Sequence, residues 1–233
     1  MRIWDVPAGY LSRQSLLGEH RELHGLESIL VNGKRGYSRH PETLRWVRRR
    51  AALCRRHELL VAEMTARGYV DRTPLERKRA RLRWPSIFIT EPVDQYALLG
   101  IKYGDRVSGR IPLPLTAQDL WAQHKYSVIA RDPEWYQAIG RRVARMKRGA
   151  PFADLARELV EVLRTTPPPG RLANAVDHMW GYVSAAAGPE DRKQAEQSVA
   201  ERLKRTRELA MTLPAPYLVA STALSELAVF ADS

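Results

Sequence analysis

The stretch Ser12-Arg13-Gln14-Ser15-Leu16-Leu17-Gly18-Glu19-His20-Arg21-Glu22-Leu23-His24-Gly25-Leu26-Glu27-Ser28-Ile29-Leu30-Val31 decides the fold. Leu16, Leu23, Leu26 and Leu30 follow one another at +7, +3 and +4, a helical period that draws them into one apolar stripe. Ser12 suits an N-cap, and Asn32-Gly33-Lys34-Arg35-Gly36 ends the pattern in a basic turn. The spacing predicts a helix from Ser12 to about Val31. Upstream, Pro7 and Gly9 break residues 1–12, which read as extended or irregular. Downstream, Pro41 in a first turn and Gly68 just past a last turn bracket a second long helix. Its apolar line is Leu44, Val47, Ala51, Cys54, Val61 and Met64. Its other face carries Arg45, Arg48, Arg49, Arg55 and Arg56, either as a solvated surface or as phosphate contacts.

Residues 70–115 carry a basic run from Arg77 to Arg83 and a short strand candidate, Ser86 to Thr90. Prolines and glycines then dominate to Pro114, so the stretch reads as an irregular connection. From Thr116 helical periods return near 116–130, 133–148, 152–164, 171–187, 190–211 and 215–231, which predicts a bundle. The expected fold is all-α: one helical domain over residues 1–115 and a second over 116–233.

The chain has 233 residues, 44% of them hydrophobic, enough for a packed core. Its 38 Lys and Arg outweigh 26 Asp and Glu, for a net charge of +12 and a pI of about 10.2. Such an excess favours a polyanion, because neutralised phosphates release counterions. No apolar run is long enough to span a bilayer, and Met1 to Pro7 lack a secretory signal core, so the expected location is cytoplasmic. Cys54 is the only cysteine, which excludes a disulfide framework and a cysteine-rich zinc site. No P-loop, Rossmann fingerprint, His-Glu-x-x-His or triad spacing occurs.

Glu22 lies between Gly18 at i−4 and Gly25 at i+3, leaving its helix face bare on both sides. Each mid-helix glycine costs about 1 kcal/mol relative to alanine. The pair points either to an open pocket around a carboxylate or to close packing against another backbone.

Met1-Arg2-Ile3-Trp4, Arg21-Glu22, Asn32-Gly33-Lys34-Arg35-Gly36-Tyr37 and His40-Pro41 together resemble the pyrimidine-dimer DNA glycosylase family, most clearly over residues 1–70. The resemblance implies a helical enzyme without metal or cofactor that flips a nucleotide from double-stranded DNA containing damaged pyrimidines. It attacks the sugar with its N-terminal amine and cuts the strand by β-elimination from a Schiff base. An α-amine suits this chemistry: its reference pKa is about 7.7, against about 10.4 for lysine, so much more of it is neutral near pH 7.5. The resemblance implies Met1 as nucleophile and Glu22 as the carboxylate that stabilises sugar charge and moves protons. Phage members expose a threonine after losing their methionine; here Arg2 follows Met1, and methionine is trimmed only before small residues. The histidine of the phage active site aligns with Ser15, and a further arginine with Gly25; His20, His24 and His40 are alternative replacements. Arg2, Arg21, Lys34, Arg35, Arg39 and His40 are candidate DNA contacts. Tyr37 and Trp4 suit either base stacking or the core.

Trp121 to Tyr126, Ala130 to Pro133, Asn174, His178 and Gly181-Tyr182 resemble an uncharacterised helical domain found alone or fused to thiouracil-desulfurising proteins. His124, Lys125, Tyr126, Asn174, His178 and Tyr182 can converge as a ligand patch or a buried network. Four readings fit the sequence: a repair glycosylase with apurinic/apyrimidinic lyase activity, a non-catalytic nucleic-acid binder, an enzyme on thiolated pyrimidines, and a basic helical interaction protein.

Overall fold

The computed structural model describes residues 1–76, 80–213 and 215–231; Arg77, Lys78 and Arg79 of the basic run lie outside them. The described residues form helices, turns and loops, without a strand. The expected first helix is α1 (Arg13–Asn32): the Ser12 hydroxyl accepts the Ser15 N–H, and Gly33 ends it at φ 60°. Leu16, Leu23 and Leu26 are fully buried.

The second long helix divides into α2 (Pro41–Trp46) and α3 (Arg50–Ala66). Trp46 is buried against Trp84, with its indole N–H on Glu42. Arg45 meanwhile reaches Asp5. Between the two helices Arg48 takes φ 60°, and the chain restarts at Arg50. Leu44 and Val47, expected inside, are exposed. The basic face is corrected too. Arg45 and Arg56 are buried ion-pair partners, Arg49 donates to the Trp84 carbonyl, and Arg55 pairs with Glu58.

The supposed irregular connection holds α4 (Pro92–Tyr103), with Pro92 in its first turn and Tyr96, Leu99 and Tyr103 inward. Ser86 to Thr90 is not a strand; Phe88 alone of its apolar residues is buried. Four helices follow as expected: α5 (Ala117–Ile129), α6 (Pro133–Arg145), α7 (Ala153–Leu163) and α8 (Pro169–Gly181). Thr116 and Asp119 close a capping box on α5. The segment 190–211 is two helices, α9 (Pro189–Ala195) and α10 (Val199–Thr212), because Ser198 caps a new start. The segment 215–231 folds as three short turns, α11 (Pro216–Val219), α12 (Ala223–Glu226) and α13 (Ala228–Ala231).

Helix α1 packs on α3, α3 on α12, and α4 on α7. One apolar cluster runs from Ile3 through α1, α3 and α4 to Leu120, Ile139 and Leu159, crossing residue 115. The other gathers α8, α10 and the C-terminal turns. The ion pair of Asp5 with Arg164 and the hydrogen bonds of Glu63 and Arg110 to residues 221 and 225 join the halves, while Arg131 and Glu226 pair within the second. Glu63 receives Arg110 at 2.6 Å and Ser225 at 2.6 Å; Asp5 receives Arg164 at 2.7 Å; Arg131 grips Glu226 twice at 2.9 Å. No helix among the described residues is long and apolar enough to cross a membrane.

Candidate active site at the chain terminus

Residues Ile3 to Leu11 have no partner strand, yet Ile3, Trp4, Val6, Tyr10 and Leu11 are buried. Their backbone groups therefore need side-chain partners. Glu19 accepts the Trp4 N–H at 3.2 Å and holds Arg56 through two bonds of 2.8 and 2.9 Å; Arg56 donates onward to the Val6 carbonyl at 3.1 Å. One turn along α1, Glu22 accepts the Arg2 N–H. Arg45 donates to the Ile3 carbonyl at 3.0 Å, and Gln95 on α4 accepts the Asp5 N–H at 2.8 Å.

This lacing brings the α-amine of Met1 to 3.7 Å from Glu22 Oε2. The Met1 side chain packs on the core, whereas 42% of the Glu22 side chain faces solvent. Glu22 opens onto a cleft of about 320 Å³ lined also by Arg2, Trp4, Ser15, Gly18 and Lys102. A Cβ at Gly18 or Gly25 would meet nothing within 4 Å. No other backbone packs there, so the glycines leave open space beside the carboxylate. Ser15 is buried on the wall of this cleft.

Arg2 also lines a second cleft, of about 270 Å³, with Met1, His40 and Arg45. His40 in turn joins Arg35, Tyr37 and Arg39 around a third, shallower one. The clefts thus share walls from Glu22 to the basic loop. Tyr37 stands at φ 54°, its carbonyl accepting from Thr43 at 2.8 Å and the His40 N–H at 3.0 Å, and its ring is 70% exposed. Left-handed backbone at a non-glycine residue costs on the order of 1–3 kcal/mol, so these bonds hold the ring outward against strain. Trp4 went the other way: it is buried, with the Arg2 guanidinium 4.9 Å from its ring centre. Lys34 is exposed beside the basic loop, and Arg21 is exposed on α1, donating to the Leu17 carbonyl.

Sequence reading missed Leu98 and Lys102, the far wall of the first cleft, because α4 was hidden. It also left His20 and His24 as possible stand-ins for the family's histidine. Both turn away from Glu22 and meet His57 and Asp71. The C-terminal patch divides. His124 is fully buried, bonded to the Leu120 carbonyl, and burial pushes its pKa down to about 4. Lys125 lies over Tyr126 and Tyr217, with Tyr182 beside them, while Asn174 and His178 are exposed.

The amine, the glutamate and the basic loop all lie within the first 41 residues, inside one matched segment. Residues 1–77 match the pyrimidine dimer DNA glycosylase family, as the opening residues led us to expect. Residues 125–224 match a protein family of unknown function (DUF1722). No curated protein and no solved structure matches the chain.

Proposed function

We propose that the protein is a DNA glycosylase with apurinic/apyrimidinic lyase activity on damaged pyrimidines in duplex DNA, with Met1 as nucleophile and Glu22 as its carboxylate. The observation that carries the reading is the 3.7 Å separation of amine and carboxylate beside an open cleft. The family match over residues 1–77 supports it. The neutral amine attacks C1′, and the C1′–N bond breaks as the base leaves. Glu22 stabilises positive charge on the sugar, takes a proton from nitrogen and returns it to the ring oxygen O4′ as the C1′–O4′ bond breaks and the ring opens to an imine. Loss of a C2′ proton then expels the 3′ phosphate, and water hydrolyses the imine to return the amine. Arg2, Arg35, Arg39 and His40 line the clefts where phosphates would run, with Lys34 and Arg21 at their margins, and Tyr37 is free to stack on an exposed base. We assign the chemistry to the domain of residues 1–115 and leave residues 116–233 as a supporting helical domain.

The test is borohydride trapping on duplexes that carry an abasic site or a pyrimidine dimer. The native chain should form a covalent adduct, and a chain extended by two residues before Met1 should form none while unfolding at the same temperature. Undiminished cleavage by the extended chain would remove the terminal amine from the mechanism.

A further inference from the structure

On the opposite side of α1 lies a cluster that the repair reaction does not use. His20 and His24 are four residues apart and share a helix face; Glu22 is about 200° around the helix from His20, at about 100° per residue. His57 of α3 faces the pair, and Asp71, five residues beyond the end of α3, completes the group. His57 Nε2 lies 3.1 Å from His20 Nε2 and 3.2 Å from His24 Nε2. Asp71 oxygens lie 3.3 Å from His20 Nε2 and 3.8 Å from His57 Nε2. All four ligand atoms fall within 4.8 Å of one another. The three rings form a nearly equilateral triangle, with centres 4.7, 4.9 and 4.9 Å apart.

Hydrogen bonding accounts for only part of this geometry: Thr73 Oγ1 lies 3.1 Å from His24 Nε2, and Asp71 can accept from His20. An imidazole nitrogen offers one in-plane site, either a proton or a lone pair. His57 Nε2 faces two other Nε2 atoms and can satisfy only one of them. A shared cation satisfies all three. A tetrahedral ion with ligands at about 2.0–2.1 Å sets neighbouring ligand atoms about 3.3–3.4 Å apart, close to the shorter separations here.

We propose that His20, His24, His57 and Asp71 bind one divalent first-row transition ion, best suited to zinc, in a closed four-ligand structural site. Three imidazoles and one carboxylate are borderline ligands that fit zinc, and a full set of four protein ligands leaves no position for a substrate. The ion would tie α1 to α3 and to the segment around Asp71. His57 and Asp71 also line a groove of about 480 Å³ bounded by α10 and α13, which gives the ion a way in. The proposal does not rest on the glycosylase reading: the family resemblance implies metal-free chemistry, and this cluster stands behind the helix that bears Glu22.

The test is metal analysis of the full chain, followed by chelator stripping and titration with cobalt(II). The native chain should carry one transition ion per molecule and, once stripped, should take up one cobalt with the intense visible bands of tetrahedral coordination. Stripping should lower the unfolding temperature, and readdition of metal should restore it. His24→Ala removes a partly exposed ligand and Asp71→Ala the loop ligand. Each should weaken cobalt binding by more than the roughly 10- to 100-fold typical of losing an outer-shell support, with circular dichroism checking that the helices remain. Absence of stoichiometric binding, weak octahedral-type bands, or unchanged affinity in both variants would overturn the site.

Discussion

Two carboxylates three residues apart on α1 should respond in opposite ways to the same substitution. Glu19 has no exposed side-chain surface and is the counter-charge of Arg56, which is itself buried. In Glu19→Gln, an amide replaces one of the two oxygens gripped by the guanidinium. Breaking a buried pair by removing one partner leaves an uncompensated charge and costs about 3–5 kcal/mol. A chain of this length loses roughly 2–4 °C per kcal/mol, so the unfolding temperature should fall by roughly 6–20 °C. Glu22 is 42% exposed and accepts one backbone N–H beside the amine. Glu22→Gln keeps an acceptor there, so its effect on stability should stay below about 1 kcal/mol. Its lyase rate should instead fall by about 10²–10⁴, the usual contribution of a positioned acid or base. Urea unfolding followed by circular dichroism, paired with cleavage of an abasic duplex, measures both quantities. If Glu22→Gln proves the less stable of the two, or Glu19→Gln is neutral, the division of labour along α1 is wrong.

Acid should expose the Glu63 network. Burial alone would raise the Glu63 pKa, but Arg110, Arg67 and the Ser225 hydroxyl override it and hold the group below the ordinary glutamate value. Its stabilisation is therefore complete above about pH 4.3 and is lost as pH falls through the lower folded value; Glu63→Gln paired with Arg110→Met should flatten unfolding free energy against pH in that acid range. Gly109→Ala should destabilise by roughly 1–3 kcal/mol, because a Cβ there would overlap the backbone of Gly9 and Tyr10; an unchanged urea midpoint would refute the close crossing.

The first helix was legible because cap, stripe and turn all agree on it. The fourth was not: Gly100, Gly104 and the prolines around it read as punctuation, although Tyr96, Leu99 and Tyr103 already stood at +3 and +4. The arginines of α2 and α3 looked like one basic face because their partners are remote in sequence. Asp5 lies 40 residues from Arg45, and Glu19 lies 37 from Arg56. Charge composition counts such arginines as available to DNA when folding has already used them. His20 and His24 carried a metal-type spacing in plain view, but their meaning depends on His57 and Asp71, which only tertiary packing supplies. Met1 and Glu22 could be paired in advance through the family resemblance; no local pattern encodes their approach.

A nucleophile at a chain terminus faces a physical difficulty, since termini fray unless tied down. Here side chains act as a substitute for a neighbouring strand. Glu22, Glu19 and Gln95 accept from residues 2, 4 and 5, while Arg45 and Arg56 donate to the carbonyls of residues 3 and 6. Arg67 and Tyr103 continue the pattern at Gly9, Leu11 and Tyr10. Several of these partners are charged and buried, so releasing one strands another, and the segment holds as a unit rather than bond by bond. In the proposed mechanism, that coupling would hold the Met1 amine at a fixed distance from a carboxylate on a helix, which positioning for attack requires. It also explains why the same helix needs support behind it. Glu19 braces α1 against α3 on one side, and the histidine cluster joins the same two helices on another. Glu22 and Glu19 hold residues 2 and 4 to α1, while α2, α3 and α4 hold residues 3, 5 and 6, so the terminus and Glu22 keep their separation only while these helices keep their packing.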